Sequence, residues 1–507
     1  MTILSTPQLA SGAVARLAAL AALALAALAL AACDNDPVRP GGAAHPAAPR
    51  PSFALAAGAT VTEFGTLPGG GDAEAHTINN LGQVAGWSTL TQPANGRYHA
   101  VRWPAAGVPQ DLGVLGTTPE SDFSEAVGSN DQGSIVGTSS TAAGEEHAFL
   151  WTPAAGMQDL GTLPGGTMSQ AFDVNRYGQV VGQSLTPIDE NNYDFHAFLW
   201  TAAGGMQDLG TLGGRWSRAQ AINDAGQVVG QSAPPEGGQR AFLWTSADGM
   251  QDLGTLGGPF SVANDVNAAG QVVGRSSTAS GPEHAFLWTP GMGMQDLGVL
   301  PGDEVSIAYG VNDYAQVVGL SIDQDAGRDH AFVWTARDGM RELPGLGGED
   351  SEAHDINNGG QVAGMSELAS HAWRAVLWTT WIPVPVQVRP DVFRINASGN
   401  LRAAVLTTPA LDARLVVPAS ATLGDEVGTD TPVARKRDGS VITSLEDVDG
   451  DGDLDRVLNF DLKSLRDNGD LTAQTGELVL RANLSDGREV RGADRVKVTS
   501  GNSGPLP

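Results

Sequence analysis

The densest chemistry in this chain lies in DVDGDGDLD, from Asp447 to Asp455. Asp447, Asp449, Asp451, Asp453 and Asp455 occupy alternate positions, 1 to 9, of a loop whose sixth residue, Gly452, permits a sharp turn. Hard oxygen donors at that spacing suit Ca2+. Asp447, Asp449, Asp451 and Asp455 offer side-chain oxygens and Asp453 its backbone carbonyl. Carboxylates this close repel one another unless a cation neutralises them. Position 12 is Leu458 rather than a bidentate glutamate, so the missing ligand must come from elsewhere, Glu446 or a water. The ion expected here is structural, bound at extracellular calcium concentrations.

Histidine is the next candidate. The words HAFLWTPAAGMQDLGTLPGG from His147, HAFLWTAAGGMQDLGTLGG from His196 and HAFLWTPGMGMQDLGVLPG from His284 place it at equivalent positions. A metal needs its ligands within about 2.0 to 2.1 Å. Equivalent atoms spread around a ring cannot converge so closely unless they line the central channel, and Arg240 and Arg374 replace histidine in two copies. A hydrogen-bonded strand role is therefore expected. Nucleophile signatures are absent: there is no GxSxG elbow, no HExxH and no catalytic cysteine. A carboxylate pair for glycoside chemistry needs proximity in space rather than any sequence spacing, so an enzyme stays open and unsupported.

The single cysteine, Cys33, ends an apolar run from Leu17 to Ala32 that follows Arg16. The run is shorter than the ~20 residues of a membrane span and reads as an export signal. Its ending, LALAAC, resembles the lipobox of bacterial lipoproteins, which implies lipid attachment at Cys33. Residues 34–59, rich in Pro, Ala and Gly, form a tether.

These groups need a scaffold, and repetition supplies one. Trp103, Trp151, Trp200, Trp244, Trp288, Trp334 and Trp378 recur at steps of 44 to 49 residues. An asparagine before each GQVVG-like run and a DLG word keep the same phase. Each unit parses into four short strands around Asn/Gly and Ala/Gly turns. Four strands in ~45 residues is the period of a β-propeller blade, so 60–382 is expected to form a seven-bladed β-propeller. The chain enters with a DLG equivalent, VTEFGTL from Val61. That strand is expected to complete the last blade, removing the open edge; WIPVPVQV from Trp381 competes for the slot but carries two prolines. The asparagine is expected to form turns and the tryptophan to pack blade against blade.

With the triplet at His147, His196, His284 and His330, these words resemble the HAF repeat family of bacterial extracellular proteins, over about Val61 to Ile382. The resemblance implies extracellular location and repeat architecture, not an activity. Residues 384–500 read as alternating strands of a β-sandwich. The RIN opening, the AAVLTT strand, the EDVDGDGDLD loop and the closing GADRV are similar to a C-terminal module common on bacterial secreted proteins. Residues 501–507 form a disordered tail.

Composition narrows the partners. The net charge of −28, from 57 acids and 29 bases, opposes nucleic acid and anionic lipid surfaces, which need clustered bases. The expectation is an all-β, exported, lipid-anchored monomer that binds a glycan or a surface protein, touching the membrane through its lipid alone. Long loops from Thr89, Leu185 and Ser321 are the candidate binding surface. A polysaccharide hydrolase or lyase and a structural envelope protein without a ligand are the alternatives.

Overall fold

The computed structural model describes residues 59–499, apart from the internal segments 91–96, 105–108, 117–121, 188–192, 337, 381, 391, 395–396, 408–411, 425–429, 473–474 and 485–488. Cys33, the export signal, all of the tether before 59 and the tail 501–507 lie outside the described residues.

The repeat units fold into four-stranded antiparallel sheets, and among the described residues there are seven of these. In the third, Ser169–Val174, Val180–Pro187, Tyr193–Thr201 and Gly205–Asp208 pair in sequence order. The other first strands are Ala73–Ile78, Ser124–Ser129, Ser217–Ile222, Gly257–Val266, Val305–Val311 and Gly347–Ile356. Each touches the first strand of the next sheet, and the seventh touches the first. The seventh sheet takes its fourth strand from the beginning of the chain: Thr60–Glu63 pairs antiparallel with Trp373–Thr379, Val61 opposite Trp378. WIPVPVQV goes elsewhere, Ile382–Pro383 and Val386–Arg389 both joining the C-terminal unit.

Alternation puts large and small side chains on opposite faces of each strand, so every apolar cluster spans two sheets. Val136, Ala148 and Leu160 of the second sheet pack against Ala171, Phe198 and Trp200 of the third. The repeated tryptophan thus packs sheet on sheet. Polar side chains lock the seams. The Ser169 hydroxyl accepts from the Ala148 N–H at 2.9 Å and donates to the Gly161 carbonyl at 2.6 Å; Ser124, Ser217, Ser261 and Ser306 repeat the pattern at their seams.

The asparagine makes its turn and does more. Asn79 Oδ1 accepts from Leu81 N and Gln83 N at 3.0 Å, while its amide donates to the carbonyl of Asn130 in the next sheet at 2.9 Å. Every sheet repeats this cross-link, and Asn357 returns it to Asn79 at 3.0 Å.

Residues from Ile382 onward build two larger sheets over one core, with a small third in which Val392–Arg394 pairs parallel with Lys497–Thr499. One runs Ile382–Pro383, Glu489–Arg495, Glu477–Leu484, Val416–Gly424, Thr431–Pro432; the other runs Val386–Arg389, Asn400–Val405, Asp455–Asp461, Thr443–Glu446. Leu401, Leu423, Leu458, Phe460 and Leu480 fill the space between them. A short α-helix, Leu462–Asp467, departs from the all-strand expectation. Asp461 caps it by accepting from Ser464 N at 2.8 Å, and Leu462 and Leu465 bury its inner face.

Candidate functional site

The seven first strands surround a cavity of about 1050 Å³. Its wall is set by a bulge repeated in every first strand, one residue being skipped in the pairing with the second strand, as between Ala75 and Thr77 or Ala353 and Asp355. A bulge re-aims side chains, and here residues before, at and after it all reach the cavity. The bulge also explains the glycine that ends each GQVVG word: a Cβ on Gly182 would sit 1.9 Å from the Gln170 carbonyl.

Scaffold positions repeat in nearly every sheet; wall positions vary far more, although Glu74 and His76 of the first sheet recur as Glu352 and His354 in the seventh. Before the bulge stand Glu74, Glu125, Gln170, Arg218, Val262, Ile307 and Glu352. The bulge residues are His76, Val127, Phe172, Gln220, Asn264, Tyr309 and His354. The backbone is the same in each sheet, and only some wall residues serve the seams, as Asn264 does by donating to the Ala308 carbonyl at 2.7 Å.

One side of the wall is a charged network. His76 Nε2 lies 2.9 Å from Glu74 Oε1 and its Nδ1 3.3 Å from Glu125 Oε1. His354 Nδ1 donates to the Ala75 carbonyl at 3.0 Å, and its Nε2 lies 3.4 Å from Glu352 Oε2. Burial works against charge in each group, but the pairing outweighs it: Glu74 is held at about 2 and His76 raised to about 9. For Glu125 burial prevails and its acidity is weakened. Across the wall the Arg218 guanidinium lies 4.0 Å above the Phe172 ring and is lowered to about 10 by burial.

After the bulge, Asp173, Asp265 and Asp355 tie alternate seams. Asp173 accepts from Val174 N at 2.7 Å and from Ile222 N of the next sheet at 2.8 Å. Asp265 bridges Val266 and Val311 likewise, and Asp355 bridges Ile356 and Ile78. Burial raises all three, Asp173 to about 7 and Asp265 to about 8.

The HAF histidines lie outside this wall. His147 Nδ1 bonds to Asp159 at 2.9 Å, twelve residues later, and His99, His196 and His284 pair with Asp111, Asp208 and Asp296. The aspartate belongs to the DLG word, whose Gly161 N–H it also accepts. This pairing explains the arginines: Arg374 meets Glu63 at 3.0 Å and Arg240 meets Asp252 at 3.7 Å. His330 instead meets Asp303 at 3.2 Å.

Of the aspartate loop, the structure brings the carboxylates of Asp447, Asp449 and Asp455 within 4.8 Å of one another. Asp451 and Asp453 are outside that group: Asp451 accepts from Asp453 N at 2.9 Å. Gly450 and Gly452 take φ of 82° and 97°, as the turn requires. Asp455 is buried and accepts from Thr407 N and Val448 N, both at 2.8 Å. Glu446 is engaged with Arg402 and Ser444, and Leu458 is core. The donor set, three converging carboxylates with further oxygens nearby, fits a hard cation such as Ca2+. Of the candidate binding loops, 188–192 and 91–96 lie outside the described residues; Leu185, Tyr193 and Phe195, on the strands that flank 188–192, line the cavity.

The wall was not legible in advance as a site. Its signal was the variation between repeats at positions flanked by constant ones.

No protein-family model and no curated protein matches the sequence. Among solved structures, a puromycin hydrolase is similar at 13% identity and TM-score 0.43, over 65% of this chain and 58% of that one. TolB from Acinetobacter baumannii is similar at 12% and 0.36, over 52% and 65%. Dipeptidyl peptidase 4 from Porphyromonas gingivalis is similar at 10% and 0.37, over 68% and 58%. The chain thus spans less than two thirds of each.

Proposed function

We propose that the chain is an exported, lipid-anchored binding protein: a seven-bladed β-propeller, closed by its N-terminal strand, that takes a cell-surface glycan in its central cavity, followed by a calcium-stapled β-sandwich. One observation carries this reading. Across most sheets the wall residues differ although the scaffold around them repeats, the Glu and His shared by the first and seventh sheets being the exception, and a scaffold alone gives little reason for such differences. Their chemistry suits a sugar: the amides of Gln170 and Gln220, whose oxygens accept from Gln183 and Arg218, still have N–H groups to donate, Asn264, whose amide donates to the Ala308 carbonyl, still has an oxygen to accept, and Phe172, Tyr309 and Trp216 offer rings. Cys33 would carry the lipid, and Asp447, Asp449 and Asp455 the calcium.

The experiment is a glycan array probed with the purified chain, with calcium and with chelator, each hit then assayed for cleavage. Binding without cleavage is expected. A blank array contradicts the glycan reading and directs the search to protein partners. If deletion then disturbs the envelope without affecting adhesion, the structural alternative gains.

A second reading rests on Glu74 and Glu125. Two carboxylates at one histidine, one held ionised and the other weakened as an acid, are what a polysaccharide hydrolase or lyase needs. Release of shorter sugars from an array hit would favour it.

A further inference from the structure

We propose that the cavity wall contains a binding site for a divalent transition-metal ion of the zinc type, with Glu74, His76 and His354 as its protein ligands. The three come from the first strands of the first and seventh sheets, which meet at the seam where the chain returns to its beginning. One carboxylate oxygen and one nitrogen from each ring all lie within 4.8 Å of one another. Ligand atoms about 2.0 to 2.1 Å from a tetrahedral ion stand roughly 3.3 Å apart. The two separations from Glu74 Oε1, 2.9 Å to His76 Nε2 and 3.7 Å to His354 Nδ1, straddle that spacing.

A second observation points the same way. Each imidazole has a carboxylate behind it, Glu125 at 3.3 Å from His76 Nδ1 and Glu352 at 3.4 Å from His354 Nε2. An imidazole that gives its far N–H to a carboxylate is fixed in the tautomer that presents the near lone pair to a metal. On metal binding His354 Nδ1 exchanges its hydrogen bond to the Ala75 carbonyl for the ion, and the ring protons displaced go to solvent. Five groups of complementary charge then surround one point.

The donor set selects the ion. Two imidazoles and one carboxylate suit zinc, whereas calcium requires six or more oxygens. Nor does the fold demand these histidines. The equivalent bulge positions in the other five sheets hold Val127, Phe172, Gln220, Asn264 and Tyr309 on the same backbone. All three ligands line the cavity, so a fourth coordination position would be open to a water or an oxygen of a ligand there. The three-ligand open arrangement is the one in which zinc polarises what it binds. The HAF histidines, paired with aspartates outside the wall, have no part in it.

The test uses the full chain, stripped with chelator and then titrated with Zn2+ and, separately, Co2+, whose visible absorption reports its ligands directly. The expected result is one zinc per chain at this site and a cobalt spectrum of low-coordinate nitrogen and oxygen donors. His76→Gln and His354→Gln should abolish both, Glu125→Gln should weaken affinity about 10- to 100-fold, and Asp449→Asn should leave both intact. Circular dichroism establishes that each variant is folded. Failure of the unaltered chain to take up zinc or cobalt overturns the proposal whatever the variants do. So does uptake that survives both histidine substitutions or is lost with Asp449→Asn.

Discussion

The side-chain amide of Asn357 donates to the backbone carbonyl of Asn79 at 3.0 Å, across 278 residues of sequence. With it, a chain of asparagine-to-carbonyl bonds that passes through every sheet returns to its start. Asn357→Ala should therefore cost more than an exposed turn substitution, because it removes a buried cross-link together with the turn's own acceptor. A loss of about 1–3 kcal/mol is expected, measured as a shift in urea midpoint. Amide exchange should quicken at Asn79 and its neighbours before it does in the third or fourth sheet.

The sixth sheet breaks the turn rule. Where the other sheets place glycine at positive φ, as at Gly178 with 69°, it places Ala315 with φ 56°. A left-handed alanine costs roughly 1–2 kcal/mol relative to a residue without Cβ. Ala315→Gly should raise stability by up to about 1 kcal/mol once the looser unfolded chain is counted. A melting temperature that falls would contradict this.

Two substitutions in the same repeat word should behave oppositely. His147→Arg preserves the pairing with Asp159, as Arg374 does with Glu63, and exposed pairs contribute little, so a change within about 0.5 kcal/mol is expected. Ser169→Ala leaves the Ala148 N–H and the Gly161 carbonyl without their partner at a buried seam, and should cost about 1–3 kcal/mol. Denaturant unfolding of both variants checks the contrast.

Stability should fall as pH rises through neutrality. His76, at about 9 against its ordinary 6.5, contributes fully below about 6.5, and that contribution is lost as pH climbs through 9. Asp173 at about 7 and Asp265 at about 8 retain protons that the unfolded chain releases above 3.8, so they too favour the fold less as pH rises toward 8. Glu74, held at about 2 against 4.5, opposes the trend only in acid. A higher urea midpoint at pH 5.5 than at 8.5 is expected, with Asp265→Asn reducing the difference. A midpoint that increases with pH would be contrary.

The repeated words were legible because they are scaffold. A tryptophan every 44 to 49 residues and strands that alternate both ways leave few architectures that cover both faces. The turn asparagine was legible as a turn, but not as a cross-link, since its second partner lies in another unit. His76 and His354 escaped notice because their shared EAH triplet occurs in only two of the seven units, and a separation of 278 positions hides their approach. The bulge that aims them has no signature in one unit alone. The aspartate loop announced itself through charge density, yet spacing could not foretell that Asp455 would turn inward to hold Thr407 and Val448 while Asp451 stayed out.

The most direct test of a recognition role for the wall is affinity measured by titration of the tightest array glycan against the unaltered chain, Gln170→Ala, Asn264→Ala and Tyr177→Ala. Tyr177 is exposed and does not line the cavity. The account predicts losses of about 5- to 10-fold for each wall variant, the worth of one hydrogen bond, and no change for Tyr177→Ala. Equal affinity in all four proteins, or no glycan bound by any, would contradict it.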